Sequence, residues 1–131
     1  MLQLKYQEDG LIPAVIQDRQ SGQVLMLGYM NDEAYQKTLA SGFVTFYSRS
    51  RRKLWTKGET SGHRLVATEI RVDCDQDALL IQAELSGPGC CHMGYHSCFF
   101  RKVTNHEEEV ILTREFDPAQ VYGAEHAESK K

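Results

Sequence analysis

Five cysteines and histidines fall within nine consecutive residues, Cys90-Cys91-His92-Met93-Gly94-Tyr95-His96-Ser97-Cys98. Gly87-Pro88-Gly89 just before them and Gly94 among them argue for a loop rather than a ladder strand. Structural cysteines usually occur singly in cores, so this density points to metal binding by soft thiolates and imidazoles. The spacing does not fit C-x2-C…C-x2-C, the pattern of a closed structural zinc ribbon. Adding Cys74 lets the chain offer three thiolates and leave one position open, the arrangement of a catalytic zinc. Zinc held in this way lowers the pKa of its water toward ~7 and supplies hydroxide at neutral pH. Ordinary loop cysteines without a metal are the alternative.

The second group is Asp73-Cys74-Asp75-Gln76-Asp77. In extended chain, side chains alternate between faces, so Asp73 and Asp75 point one way and Cys74 the other. Hard carboxylate oxygens suit Mg²⁺ and a soft thiolate suits Zn²⁺, so one strand end can serve two metals. Residues two apart on a strand are separated by roughly 7 Å, so three aspartates share one ion only if the chain bends near Gln76. A polar turn with solvated aspartates accounts for the same residues without a metal. The calcium loop D-x-D-x-D-G-x5-E nearly fits, with Glu84 at its last position, but Ala78 replaces its glycine and the flanks read as strands.

The third group is basic. Arg49, Arg51, Arg52, Lys53, Lys57 and Arg64 lie within sixteen residues opposed only by Glu59. Arginine and lysine hold phosphate oxygens, and Trp55 offers a stacking face for a base or ribose. A solvated loop with Trp55 in the core is the alternative. Zinc hydroxide attacking C6 of adenine occurs among nucleobase deaminases, but their H-x-E and P-C-x-x-C are missing here, which argues against that fold.

The elements that must position these groups follow from periodicity and turn chemistry. Leu11 to Ile16 and Val24 to Leu27, separated by Asp18-Arg19-Gln20-Ser21-Gly22, predict a β-hairpin. Asn31 is an N-cap for a helix that opens with Asp32 and Glu33 and stops at Gly42, with Ala34, Tyr35, Thr38 and Leu39 as its packing face. Phe43 to Tyr47 predicts a strand, and Ser48 to Gly62 a long polar loop of the kind that carries function. Val66 to Val72, Ala78 to Leu85, Phe99 to Val103 and Val110 to Thr113 complete the strands. Gly123 to Lys131 reads as a mobile tail. The sum is α+β, a mostly antiparallel sheet with one main helix.

At 131 residues the chain fits one domain, and a hydrophobic fraction of 41% supports a small core. A net charge of -3 gives no general attraction to nucleic acid or anionic membrane, and no apolar run approaches the ~20 residues of a membrane span. Met1 to Lys5 lacks a signal-peptide pattern, so the reading is cytoplasmic, where clustered cysteines favour metal over disulfides.

Together the strings Leu54-Trp55-Thr56-Lys57-Gly58-Glu59-Thr60-Ser61-Gly62, Asp73-Cys74-Asp75-Gln76-Asp77, Gly87-Pro88, Cys91-His92-Met93-Gly94 and Ser97-Cys98-Phe99 resemble the phosphoribosyl-AMP cyclohydrolase family. The resemblance runs from about Leu11 to Arg101, the expected core of a single domain spanning residues 1–131. It implies a histidine-biosynthesis enzyme that opens the adenine ring of phosphoribosyl-AMP at N1–C6, using zinc-bound hydroxide. It further implies one Zn²⁺ per subunit on Cys74, Cys91 and Cys98, and one Mg²⁺ on Asp73, Asp75 and Asp77. Cys90 is then an extra thiol outside the ligand set. His92, beside a ligand, is the expected general base, ahead of His63 and His96. Arg49, Arg51, Trp55, Lys57, Glu59 and Ser61 are expected to bind substrate. The family also implies an intertwined homodimer with zinc ligands from both subunits. Too few residues follow the motifs for the fused pyrophosphohydrolase domain of some relatives, so a monofunctional enzyme is expected.

Overall fold

A computed structural model describes residues 2–121. The predicted hairpin is β1 (Ile12–Asp18) and β2 (Val24–Met30), paired antiparallel from Ile12↔Met30 to Gln17↔Val24 with an irregularity at Ile16/Gln17. Helix α1 (Asp32–Ser41) begins where its cap chemistry places it. The Asn31 side chain accepts the Ala34 N–H at 2.8 Å. Gly42 closes the helix in the left-handed region and donates its N–H to Thr38 O. Of the expected packing face, Ala34 and Thr38 are buried, but Leu39 is 52% exposed. The Thr38 hydroxyl accepts the Thr45 N–H at 3.0 Å and so ties the helix to the following strand.

The segment Ser48 to Gly62 is not one loop. Strand β3 (Thr45–Ser48) turns back into β4 (Lys53–Thr56), with Phe46 opposite Trp55. The Phe46 and Trp55 rings lie 5.1 Å apart. This cross-strand pair stabilises a four-residue strand that the flanking cations disguise in sequence. Phe46 also packs on β2 at Gly28, where an added Cβ would meet the ring at 2.5 Å.

Strands β5 (Leu65–Val72) and β6 (Leu79–Leu85) form the second long hairpin. The main sheet has the order β2-β1-β6-β5. All its pairs are antiparallel except β1 with β6, which run parallel with Ala14 opposite Leu79 and Asp18 opposite Ala83. Alternate residues of β1 and β6 point into the core: Ile12, Ala14 and Ile16, and Leu79, Ile81 and Ala83. They meet Leu25, Met26, Met30, Val44, Phe46 and Leu65.

The last hairpin, β7 (Arg101–Thr104) with β8 (Glu107–Val110), stands apart as its own exposed two-stranded sheet. Its second strand begins at Glu107 rather than Val110, because Asn105 and His106 both take positive φ and make a two-residue turn. Three glutamates in that strand hid it in sequence, since glutamate is depleted in strands. A single helical turn, α2 (Pro118–Val121), follows. The predicted mobile tail, Gly123 to Lys131, lies outside the described residues.

The strand directions give the sheet two ends. Asp18, Val24, Leu65 and Leu85 lie at one; Ile12, Met30, Val72 and Leu79 lie at the other. The cysteine loop leaves from Leu85, whereas Asp73 to Asp77 turn between Val72 and Leu79.

Candidate metal and substrate site

The aspartate end bends where sharing of one ion requires it. Gln76 adopts φ 67°, and its N–H donates to Asp73 O at 3.1 Å. The Asp73 carboxylate accepts the N–H groups of Asp77 at 3.0 Å and Ala78 at 3.2 Å. One oxygen from each of Asp73, Asp75 and Asp77 then falls within 4.8 Å of the others. Opposing a desolvation penalty, the backbone N–H of Asp77, contacts with the Asp77 and Asp75 carboxyls and the Ala78 N–H hold Asp73 below the usual carboxylate range. Asp77 is raised to about 6, first by its hydrogen bond with Asp75 and then by that with Asp73. Three carboxylates this close resist full ionisation without a cation between them. Hard oxygens in this number fit Mg²⁺. Cys74 is exposed on the same turn and stands outside that trio.

At the other end, backbone hydrogen bonds shape the cysteine loop. Cys90 N–H donates to His96 O and Cys91 N–H to Tyr95 O, both at 3.0 Å. Cys98 N–H donates to Leu25 O at 2.7 Å, and the buried Ser97 hydroxyl to Val24 O at 2.7 Å, so β2 anchors the loop's exit. The Cys91 Sγ accepts the Met93 N–H at 3.4 Å. The Cys91 thiol is driven far above its ordinary range, first by its hydrogen bond with Cys98 and then by burial. Contact with Cys90 and burial push the Cys98 thiol up to about 11, against the lowering influence of Cys91 and the Lys57 charge. Buried Cys91 and half-buried Cys98 are adjoining thiols that keep their protons, a soft donor pair that fits Zn²⁺, which would displace those protons.

Cys90 is fully buried in the hydrophobic core, with Cys98 packed against that cluster. His92 is half-buried on the turn after Cys91. The Nδ1–H of His63 donates to Gly89 O at 3.1 Å, and its ring meets Phe116 edge-on at 4.7 Å. Gly87, at φ 113°, leaves room for that ring: an added Cβ would sit 2.5 Å from His63 Cδ2. His96 Nε2 lies 3.4 Å from the Asp18 carboxylate. Asp18, Gln20, Glu84, Leu85, Gly87 and His96 line an open cavity of about 280 Å³ beside the loop. In sequence Asp18 is one more turn aspartate, and only the fold brings it to His96.

The basic stretch is divided between the two ends. Arg49 and Arg51 are exposed on the turn joining β3 to β4, with the Arg49 guanidinium 4.6 Å from the centre of the Tyr29 ring, near the aspartate end of β2. Lys57, Glu59 and Ser61 follow β4 toward the cysteine end. The Ser61 hydroxyl accepts the His63 N–H at 3.1 Å, and Glu59 is exposed. Trp55 is half-buried against Phe46, so its ring serves the core as well as any ligand. Lys57 is only 6% exposed.

One chain therefore does not bring all the candidate zinc ligands together. Cys91 and Cys98 adjoin, but Cys74 lies beyond the opposite end of the seven-residue β6, which spans roughly 20 Å at ~3.3 Å per residue.

A family model described as Phosphoribosyl-AMP cyclohydrolase matches residues 26–100. A phosphoribosyl-AMP cyclohydrolase of Solibacter usitatus is 60% identical over 115 residues, covering 88% of this chain and 91% of that protein. Proteins of the same name from Desulforapulum autotrophicum and Methanosarcina mazei are 52% identical over 124 residues and 54% identical over 119. Those matches cover 93% and 91% of this chain, and 99% and 95% of the two relatives.

Proposed function

This chain belongs to the phosphoribosyl-AMP cyclohydrolase family, and from that premise we propose that it hydrolyses the N1–C6 bond of the adenine ring of 1-(5-phosphoribosyl)-AMP in histidine biosynthesis. The observation that carries the chemistry is the pairing of two donor sets of opposite character, the Cys91–Cys98 thiols and the three aspartates. Cys91 and Cys98, with Cys74 of a second copy, would hold Zn²⁺, and Asp73, Asp75 and Asp77 would hold Mg²⁺, one of each per subunit. Bound there, zinc supplies a water acidic enough to act as hydroxide toward C6 at neutral pH. His92, one residue from Cys91, takes the water proton on its imidazole and returns it to N1 as the N1–C6 bond breaks. Arg49 and Arg51 are exposed and suit substrate phosphate, with Trp55, Glu59 and Ser61 along the remaining approach.

The separation of Cys74 from its partners supports a homodimer in which each zinc site draws on both subunits. Residues 1–131 act as one domain, with 11–101 its core. Among the described residues no helix is long and apolar enough to cross a membrane. We assign the protein to the cytoplasm, with a small-molecule substrate and no nucleic-acid partner.

Ring opening changes the chromophore, so absorbance follows it directly. Phosphoribosyl-AMP is expected to turn over with the metal-loaded protein, to persist after chelation, and to turn over again when Zn²⁺ is returned. Turnover by protein shown to be zinc-free would exclude the zinc role. A second expectation separates the two metals. Asp75→Asn removes one anionic oxygen from the trio, so it should weaken the Mg²⁺ response about tenfold or more while zinc stays bound. Zinc content falling in step with Mg²⁺ dependence would contradict two independent sites.

A further inference from the structure

The cavity beside the cysteine loop is lined by hydrogen-bond acceptors. Asp18 and Glu84 bring carboxylates, Gln20 an amide and His96 an imidazole, with Leu85 and Gly87 completing the wall. The sheet sets the two acids side by side, since β1 and β6 run parallel with Asp18 opposite Ala83, the neighbour of Glu84. The Asp18 carboxylate is held by the Gln20 N–H at 2.9 Å and the Ser21 hydroxyl at 3.1 Å, and it stands 3.4 Å from His96 Nε2. Glu84 accepts from the Arg19 guanidinium through Oε1 at 2.9 Å. A carboxylate offers about four acceptor sites, so both acids keep capacity for further donors. His96 joins the cavity to the thiols. It lies between Cys91 and Cys98 in the loop, and its carbonyl accepts the Cys90 N–H at 3.0 Å.

This lining selects its ligand by elimination. Neither lysine nor arginine lines it, and the neighbouring Arg19 is engaged by Glu84, so a phosphate finds two carboxylates and no counter-charge. A metal ion needs converging ligands, and among the described residues only Asp73, Asp75 and Asp77 bring three within 4.8 Å. Leu85 alone offers an apolar side chain. A neutral group rich in hydroxyls remains, and a vicinal diol suits carboxylates, which hold ribose hydroxyls in dinucleotide sites. At about 280 Å³ the cavity falls just short of the ~300–1,000 Å³ typical for a whole ligand, so it takes a fragment. The substrate of the proposed reaction carries two ribosyl groups. One is attached to N1, itself bonded to C6, and so lies beside the metal site; the other, on N9, sits across the purine. We propose that the cavity is the subsite for the hydroxyls of the N1 ribosyl group, with Asp18 and Glu84 as specificity residues that favour phosphoribosyl-AMP over AMP. Because the cavity is open, the 5-phosphate of that sugar would point outward, away from the acids. The proposal rests on the reading that the ring opens at a metal held by Cys91 and Cys98.

Deoxy substrates crossed with one variant test it. The metal-loaded full-length protein is assayed with phosphoribosyl-AMP, with an analogue lacking the 2- and 3-hydroxyls of the N1 ribosyl, and with one lacking those of the N9 ribosyl. Loss of the N1-side hydroxyls is expected to lower kcat/KM about 10- to 100-fold, chiefly through KM, and loss of the N9-side pair by less than about threefold. Glu84→Gln is the variant of choice, because Glu84 and Arg19 are both half exposed and losing their ion pair costs little stability. It should lower kcat/KM for phosphoribosyl-AMP about tenfold with zinc content unchanged. In that variant the penalty for the missing N1-side hydroxyls should shrink at least about fivefold, since part of the shared contact is already gone. An equal penalty in wild type and Glu84→Gln, or a larger loss with the N9-side analogue, would overturn the proposal. A wild-type protein that leaves phosphoribosyl-AMP itself unopened would instead remove the reaction beneath it.

Discussion

Cys91→Ser and Cys98→Ser should each lose zinc and lower kcat/KM by about a thousandfold or more, while Cys90→Ser keeps both. A neutral hydroxyl is a poor substitute for a thiolate on zinc, and on the proposed mechanism loss of the metal would leave no water acidic enough for attack on C6. Cys90 and Cys91 are both buried, at 0% and 2% exposure, so their surroundings rather than their depth separate them. Cys91 accepts a backbone N–H from Met93, an interaction that favours an anionic sulfur. Cys90 sits at 0% exposure in the apolar core. Cys90→Ser should therefore cost stability, about 1–3 kcal/mol for a hydroxyl placed in the core beside the Cys98 thiol, and lower the Tm without emptying the site. Zinc per chain by atomic absorption, paired with thermal unfolding, distinguishes the two roles. Normal zinc in Cys91→Ser with loss in Cys90→Ser would move the ligand one residue upstream.

That contrast marks how far the sequence was legible. The helix caps Asn31 and Gly42 could be read because capping depends on a few neighbouring residues. The bend at Gln76 could be stated as a condition, since three aspartates two apart cannot otherwise converge. What escaped depends on partners distant in the chain. The strand at Lys53–Thr56 exists because Trp55 meets Phe46, and its cations read as a loop. The parallel pairing of β1 with β6 has no local signature, yet it sets which end of the sheet each motif occupies. Lys57 belonged by composition to a solvated basic patch, and only the tertiary structure encloses it.

The distance between Cys74 and the cysteine loop leads to the second large effect. Mixing inactive Cys74→Ser protein with inactive Cys91→Ser protein should restore activity. Within one chain, Cys74 stands beyond one end of β6 and the loop leaves from the other, a gap of roughly 20 Å by strand rise against Zn–S bonds of about 2.3 Å. Local adjustment of an exposed turn does not close such a gap, whereas a second copy placed end to end does. In a mixed dimer, one site takes its intact Cys74 from the Cys91→Ser chain and its intact Cys91 and Cys98 from the Cys74→Ser chain. The other site lacks two ligands. Random exchange makes about half the dimers mixed, and each carries one good site of two, so about a quarter of wild-type activity is the ceiling. Zinc should return in the same proportion, and on the proposed shared site, which only the assembled pair completes, it should draw subunits into mixed dimers. Differently tagged chains confirm exchange by co-purification. Exchange without recovery of either zinc or activity would mean that each site is completed within a single chain, by a rearrangement that carries Cys74 the length of β6.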